Sequence, residues 1–188
     1  MKRAAFLAFI LIFFFSIQFV NAQEINLSPT VEPSAVPSLS EESVEYQLPY
    51  PGLLPDSSFY FLKVVRDKII SFLVSDPLKK ADFDLLQADK RLSAGVYLFD
   101  RRKFNLASST ILKGENYFEE ALVKAEEAKK QGMDTGNIGD RLLTAFLKHK
   151  IVVKGLEKKA PNENKAEFSS LVKRIEGFEN RASELKTK

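Results

Sequence analysis

The residues in this chain able to do chemistry are few. His149 is the single histidine, and the sequence contains no cysteine and no tryptophan. Disulfides, thiolate metal sites and cysteine nucleophiles are therefore excluded. An imidazole can bind a metal or move a proton near neutral pH. His149, however, stands between Ala145 and Val152 on the apolar stripe of a helical pattern, where a lone histidine reads first as a hydrogen-bonded packing residue. It is a candidate site. A ferritin-like centre needs Glu-x-x-His on two helices, and Phe146 occupies the position the glutamate would need.

Glu115, Glu119 and Glu126 could place carboxylates along one helix for a hard cation. Their lysine neighbours at helical spacing predict a solvated face instead. The sequence holds neither a Gly-x-Ser-x-Gly elbow nor a Gly-x-Gly phosphate loop, so the usual signals of acyl transfer and nucleotide binding are missing. No catalytic residue, cofactor or metal ligand is expected, and the chain reads as non-enzymatic. Lys150, Lys154 and Lys158 recur one turn apart, with Lys148 and Lys159 beside them. Such a ridge could meet lipid headgroups or an anionic wall polymer, or form an ordinary solvated face.

The elements that must position these side chains follow from composition and periodicity. Residues 1–22 carry Lys2 and Arg3, an apolar run from Ala4 to Phe15 and Val20-Asn21-Ala22, the three parts of an export signal. Cleavage is expected after Ala22; the alternative is a retained anchor, since Ala4 to Val20 reaches the lower limit of about 17 residues for a spanning helix. Both readings place the rest of the chain outside the cytoplasm, secreted, periplasmic or at the cell surface. Residues 23–51 hold five prolines among serines and glutamates, too little apolar surface to offset the entropy of ordering. They are read as a disordered tether. From Gln23 to Leu62 there are six acids and no lysine or arginine, while from Lys63 onward 26 bases face 19 acids. The opposite signs nearly cancel, so a strongly basic partner-seeking surface is not expected. Nucleic acid is not expected as a partner, because the charge is small and no stacking aromatics accompany the lysines.

Beyond Asp56 the apolar spacing is helical to the C-terminus. A first helix, capped by Asp56 or Ser57, carries Phe59, Leu62, Val65, Ile69, Phe72 and Leu73 on one stripe and ends near Ser75. Ser75-Asp76-Pro77 supplies a cap and a proline at the first position of a second helix, with Leu78, Ala81, Leu85, Ala88, Leu92, Val96 and Phe99 inward and Asp89 outside the stripe. Asn105 can open a third helix built on Ile111, Phe118, Ala121, Leu122 and Ala125, which Gly114 weakens locally. After a loop at residues 132–136, Asn137 can cap a fourth helix, which Pro161 stops. A last helix opens at Asn162 or Asn164 and runs through Phe168, Ile175, Phe178, Ala182 and Leu185. No alternating strand pattern bounded by hairpin turns appears. The expected fold is all-α: an antiparallel bundle of about five amphipathic helices over residues 52–188.

Several residues carry a resemblance: Leu54-Pro55-Asp56-Ser57, Tyr60, Leu62-Lys63, Asp76-Pro77, Lys80-Ala81, Ala88, Arg91-Leu92, and His149 with Val153 and Leu156 ahead of Pro161. In these the chain resembles a bacterial family of exported helical domains, domain of unknown function 5667, over most of residues 48–180. Members place proline where this chain has Ser58, which implies a less rigid helix start here. The resemblance implies an exported helical domain and brings no activity, catalytic residue or cofactor with it. The functional expectation is an interaction or structural module at the cell envelope, its partner an envelope protein or anionic polymer. Membrane contact is expected only through an uncleaved N-terminus. The alternative is a periplasmic ligand-binding or chaperone-like bundle.

Overall fold

The computed structural model describes residues 44–186. The expected export signal and most of the expected tether lie outside the described residues. Within them the chain forms α1 (Tyr60–Leu73), α2 (Pro77–Asp100), α3 (Phe104–Lys130), α4 (Gly136–Lys159), α5 (Asn162–Glu176) and α6 (Glu179–Lys186). No strand occurs among the described residues, and the all-α expectation holds.

α2 and α3 form an antiparallel hairpin joined by Arg101–Lys103, with Arg102 in the left-handed region at φ 60°. Their contact is lined by small residues: Ala81, Ala88, Ala107, Ala121 and Ala125 are fully buried. Gly95 permits the closest approach, because a Cβ there would overlap the side chain of Ile111. Gly114, expected only to weaken α3, faces the carbonyl of Ala88, 3.2 Å from where its Cβ would be. The glycines trade helix propensity for close packing.

α4 packs against α5 and α6, which together replace the single last helix expected from periodicity. The chain breaks at Gly177 and Phe178, where the Gly177 N–H reaches back to the carbonyls of Lys173 and Arg174. This turn brings Phe178 onto Phe118, ring centroids 5.4 Å apart and nearly parallel. The end of α6 then lies over the start of α4: Thr135 Oγ1 donates to the Leu185 carbonyl at 3.2 Å, and a Cβ on Gly139 would meet the Leu185 backbone at 2.8 Å. Between the two layers lies one core, in which Leu85, Leu92, Ile111, Phe118, Leu122, Leu142, Phe146, Phe168 and Ile175 are fully enclosed.

Helix ends depart from expectation at several of the expected caps. Asp76 does cap α2, accepting from the Lys79 N–H at 2.9 Å, and Pro77 is the first helical residue. Asp56 does not cap α1, which starts at Tyr60 after an uncapped Phe59. Its carboxylate instead accepts from Lys103 at 2.7 Å and lies 3.6 Å from Arg101, and the Lys103 bond holds it below the usual carboxylate range. Asn105 and Asn137 do not cap α3 and α4 either, since both already lie inside their helices.

The expected tether end also shifts. Tyr46 and Leu48 pack against the core, the Pro49 carbonyl accepts from Ser93 Oγ at 2.8 Å, and the Pro51 carbonyl accepts from Lys63 Nζ at 2.7 Å. Residues 46–51 are thus part of the folded body, laid along α2 as an extended strap.

Candidate functional site

His149 is fully buried, on the α4 stripe where the sequence predicts a half-buried packing residue. Its surroundings are not what the sequence led us to expect. Nδ1 lies 3.0 Å from Glu115 Oε1 on α3, and Nε2 lies 3.0 Å from Asp89 Oδ1 on α2. Glu115, expected on a solvated face, is completely enclosed, and Asp89, expected outside the stripe of α2, is buried. Tyr46 of the strap donates its hydroxyl to Asp89 Oδ2 at 2.6 Å. Four segments far apart in sequence therefore meet at one imidazole.

The electrostatics follow from that enclosure. Burial favours the neutral ring, but the Glu115 charge, the hydrogen bonds to Asp89 and Glu115, and the Asp89 charge together outweigh it, pushing the His149 pKa up to about 9. The ring is an imidazolium at neutral pH, and both N–H groups donate. Burial and the neighbouring Asp89 charge push the Tyr46 phenol up in turn. Neither ring nitrogen is left to act as a base, and no edge of the ring faces solvent. The cluster works as a charged pin between α2, α3, α4 and the strap. No group of three or more His, Cys, Asp or Glu that could hold a metal ion occurs among the described residues.

The other expected carboxylates are engaged in ion pairs with the C-terminal layer. Glu119 meets Arg174 at 2.7 Å, and Glu126 accepts from Arg181 at 2.7 and 3.1 Å. The lysine ridge is also partly neutralised from within. Lys150 lies 3.5 Å from Glu179 and over the Phe146 ring, Lys154 lies 2.8 Å from Glu176, and Lys158 is exposed.

α1 also departs from expectation. Its stripe of Leu62, Val65, Ile69, Phe72 and Leu73, with Phe59 before it, is the amphipathic face by which a bundle helix would be expected to enter the core, Phe59 and Leu62 first. All six are exposed, Phe72 by 87 %. The side that faces the body is the polar one: Tyr60, Lys63, Val64 and Ser71 are half-buried and Asp67 is buried. Tyr60 accepts from Arg91 at 2.7 Å, and Arg91 in turn lies over the Tyr117 ring of α3, 4.8 Å from its centroid. At the far end Lys80 of α2 bonds to the Ser71 hydroxyl and to its carbonyl at 3.3 Å. These contacts run α1 antiparallel to α2. Polar bonds fasten the helix, and its apolar side is left outward.

On a wheel of 3.6 residues per turn, Phe61, Leu62, Val65, Ile69, Phe72 and Leu73 share an arc of about 120°. Lys68 borders one edge and Arg66 the other. The only acid of α1, Asp67, is on the opposite side, bonded to Arg66 at 2.8 Å. Covering these side chains would yield on the order of 1 kcal/mol each, given that each is already partly shielded by its neighbours. No helix among the described residues is long and apolar enough to cross a membrane.

Helical hairpins closed around one core, with a polar-fastened helix alongside, define an all-α bundle domain. Residues 52–168 match the family described as Domain of unknown function (DUF5667), and the chain belongs to that family. The matched span takes in α1 to α4 and the first turns of α5. Tyr60, Lys80 and Arg91, which carry the resemblance in sequence, are the residues that fasten α1 to α2. No curated protein and no solved structure matches the chain.

Proposed function

We propose that this protein is an exported, non-enzymatic interaction module of the cell envelope that docks through the outward face of α1. The observation that supports this reading is the inverted helix: α1 turns Asp67 and Tyr60 to the body and six large apolar side chains to solvent. An exposed apolar surface of this continuity on a folded domain marks a binding surface. Export is supported by the signal-like residues 1–22. The chain between them and Tyr46 then sets the reach of the module. The lysine ridge is a weaker docking candidate, since Glu176 and Glu179 already answer two of its ammonium groups.

A chaperone-like bundle would draw on the same exposed side chains. It is the second reading, favoured if the protein suppresses aggregation of an unfolded client. The test of the first is sedimentation of the chain from Gln23 onward with envelope fractions at low salt. Wild type is expected in the pellet, and the Ile69→Ser, Phe72→Ser double variant in the supernatant. A wild-type protein that stays in the supernatant overturns the proposal.

A further inference from the structure

We infer that α1 is a lipid-docking helix, lying flat in the interface of an anionic membrane with its apolar arc at the acyl boundary and its flanking bases among the headgroups. This rests on reading α1 as the docking surface and names what it docks to. The outward half of α1 presents Lys68 at one edge of Phe61, Leu62, Val65, Ile69, Phe72 and Leu73, all of them exposed, and Arg66, bonded to Asp67, at the other; no acid lies on this half. Bases flanking an apolar stripe on a short helix are the arrangement that interfacial helices use, their long side chains reaching outward to phosphate. The expected partner is therefore anionic at its rim and apolar just beneath, which is the layering of a phospholipid surface.

Neighbouring parts of the fold continue the same character. Phe59, Leu53 and Tyr50 ahead of α1 are exposed. Lys103 and Arg101 of the α2–α3 connection stand at the start of the helix around the single acid Asp56, leaving one base in excess there. A second copy is a poorer occupant. Two α1 faces meeting about a two-fold axis would set Lys68 against a face with no outward acid of α1 to answer it. The mode of attachment also fits a surface. Arg91, Lys80 and the Lys63 bond to the Pro51 carbonyl hold the helix already formed, so docking does not have to supply the entropy of folding it. Membrane contact then comes from the folded domain itself, in addition to any made by the N-terminal segment.

The chain has no tryptophan, so Phe72→Trp places a single indole reporter on the face, at its most exposed side chain. The test uses the chain from Gln23 onward, which retains every described residue and lacks the apolar run of residues 4–15. It is mixed with vesicles of phosphatidylcholine alone and with vesicles containing phosphatidylglycerol. Expected are co-flotation and a blue-shifted emission from the introduced indole with the anionic vesicles, and binding weaker by about tenfold or more to neutral vesicles or in high salt. Ile69→Ser with Phe61→Ser abolishes binding, and Lys68→Glu weakens it; Arg66 is left intact because it pairs with Asp67. Failure of wild type to bind anionic vesicles overturns the lipid inference, as does binding that the two serine substitutions leave unchanged. If envelope sedimentation persists without vesicle binding, or if the protein forms a dimer that the serine variant dissolves, the lipid inference is wrong and α1 still serves as a docking surface. Loss of both vesicle and envelope binding removes both.

Discussion

At His149 one imidazolium answers two buried carboxylates, and the balance is visible in how tightly it holds its proton. In the unfolded chain the ring titrates at about 6.5, whereas in the folded chain its pKa is pushed up to about 9. The folded state binds the proton more strongly, so the contribution to stability is complete below about pH 6.5 and is lost as pH rises through about 9. Its gross size is roughly 3 kcal/mol. Urea unfolding at intervals from pH 6 to 9.5 should therefore show wild-type stability falling by a large part of that amount. His149→Gln should be less stable by roughly 3 kcal/mol at pH 6, because two enclosed carboxylates lose their counter-charge, and flatter across the range. Because there is one histidine, its NMR titration reports this site alone, and a midpoint near the unfolded value would refute the charged pin. The stripe position of His149 was legible in the sequence. Glu115 and Asp89 were not, although each sits at a stripe spacing, Glu115 four residues after Ile111 and Asp89 four after Leu85. An acid among lysines reads as solvated until a buried cation 34 or 60 residues away is known to answer it.

Among the elements, the helices themselves were legible because their causes are local: apolar spacing, Asp76-Pro77 at the start of α2, glycines between α3 and α4. Caps failed where a partner from elsewhere took the side chain, as Lys103 takes Asp56, or where the helix began before the capping residue, as at Asn105 and Asn137. The split between α5 and α6 was hidden because Phe178 keeps the apolar rhythm of the helix while its backbone breaks the ladder to reach Phe118. Glycine roles also depend on the neighbour. A Cβ at Gly95 would overlap Ile111, so Gly95→Ala should destabilise by about 1–3 kcal/mol despite its better helix propensity. That cost should shrink in an Ile111→Ala background, measured as a double-mutant cycle. An additive pair would mean that the α2–α3 approach is not limiting there.

For the whole molecule, the consequence of an outward-facing α1 is a separation between what stabilises the fold and what the fold presents. Phe146 is fully enclosed, and Phe146→Ala should cost about 3–5 kcal/mol. Phe72 faces solvent, and Phe72→Ser should change unfolding free energy by no more than about 0.5 kcal/mol. Chemical denaturation of the two variants beside wild type checks this, and a core-like loss at Phe72 would show that the stripe packs inward after all. In sequence the two phenylalanines are equivalent members of amphipathic stripes.

The amino-acid sequence by itself determined the all-α class, the main helices, the family and the stripe of each helix, because periodicity and punctuation act over a few residues. Only the tertiary structure decided which stripe is buried. The preference of an apolar face for burial has a magnitude but no address. On α1, Arg91 and Lys80 bind the polar face to α2, and the apolar face is left for another surface.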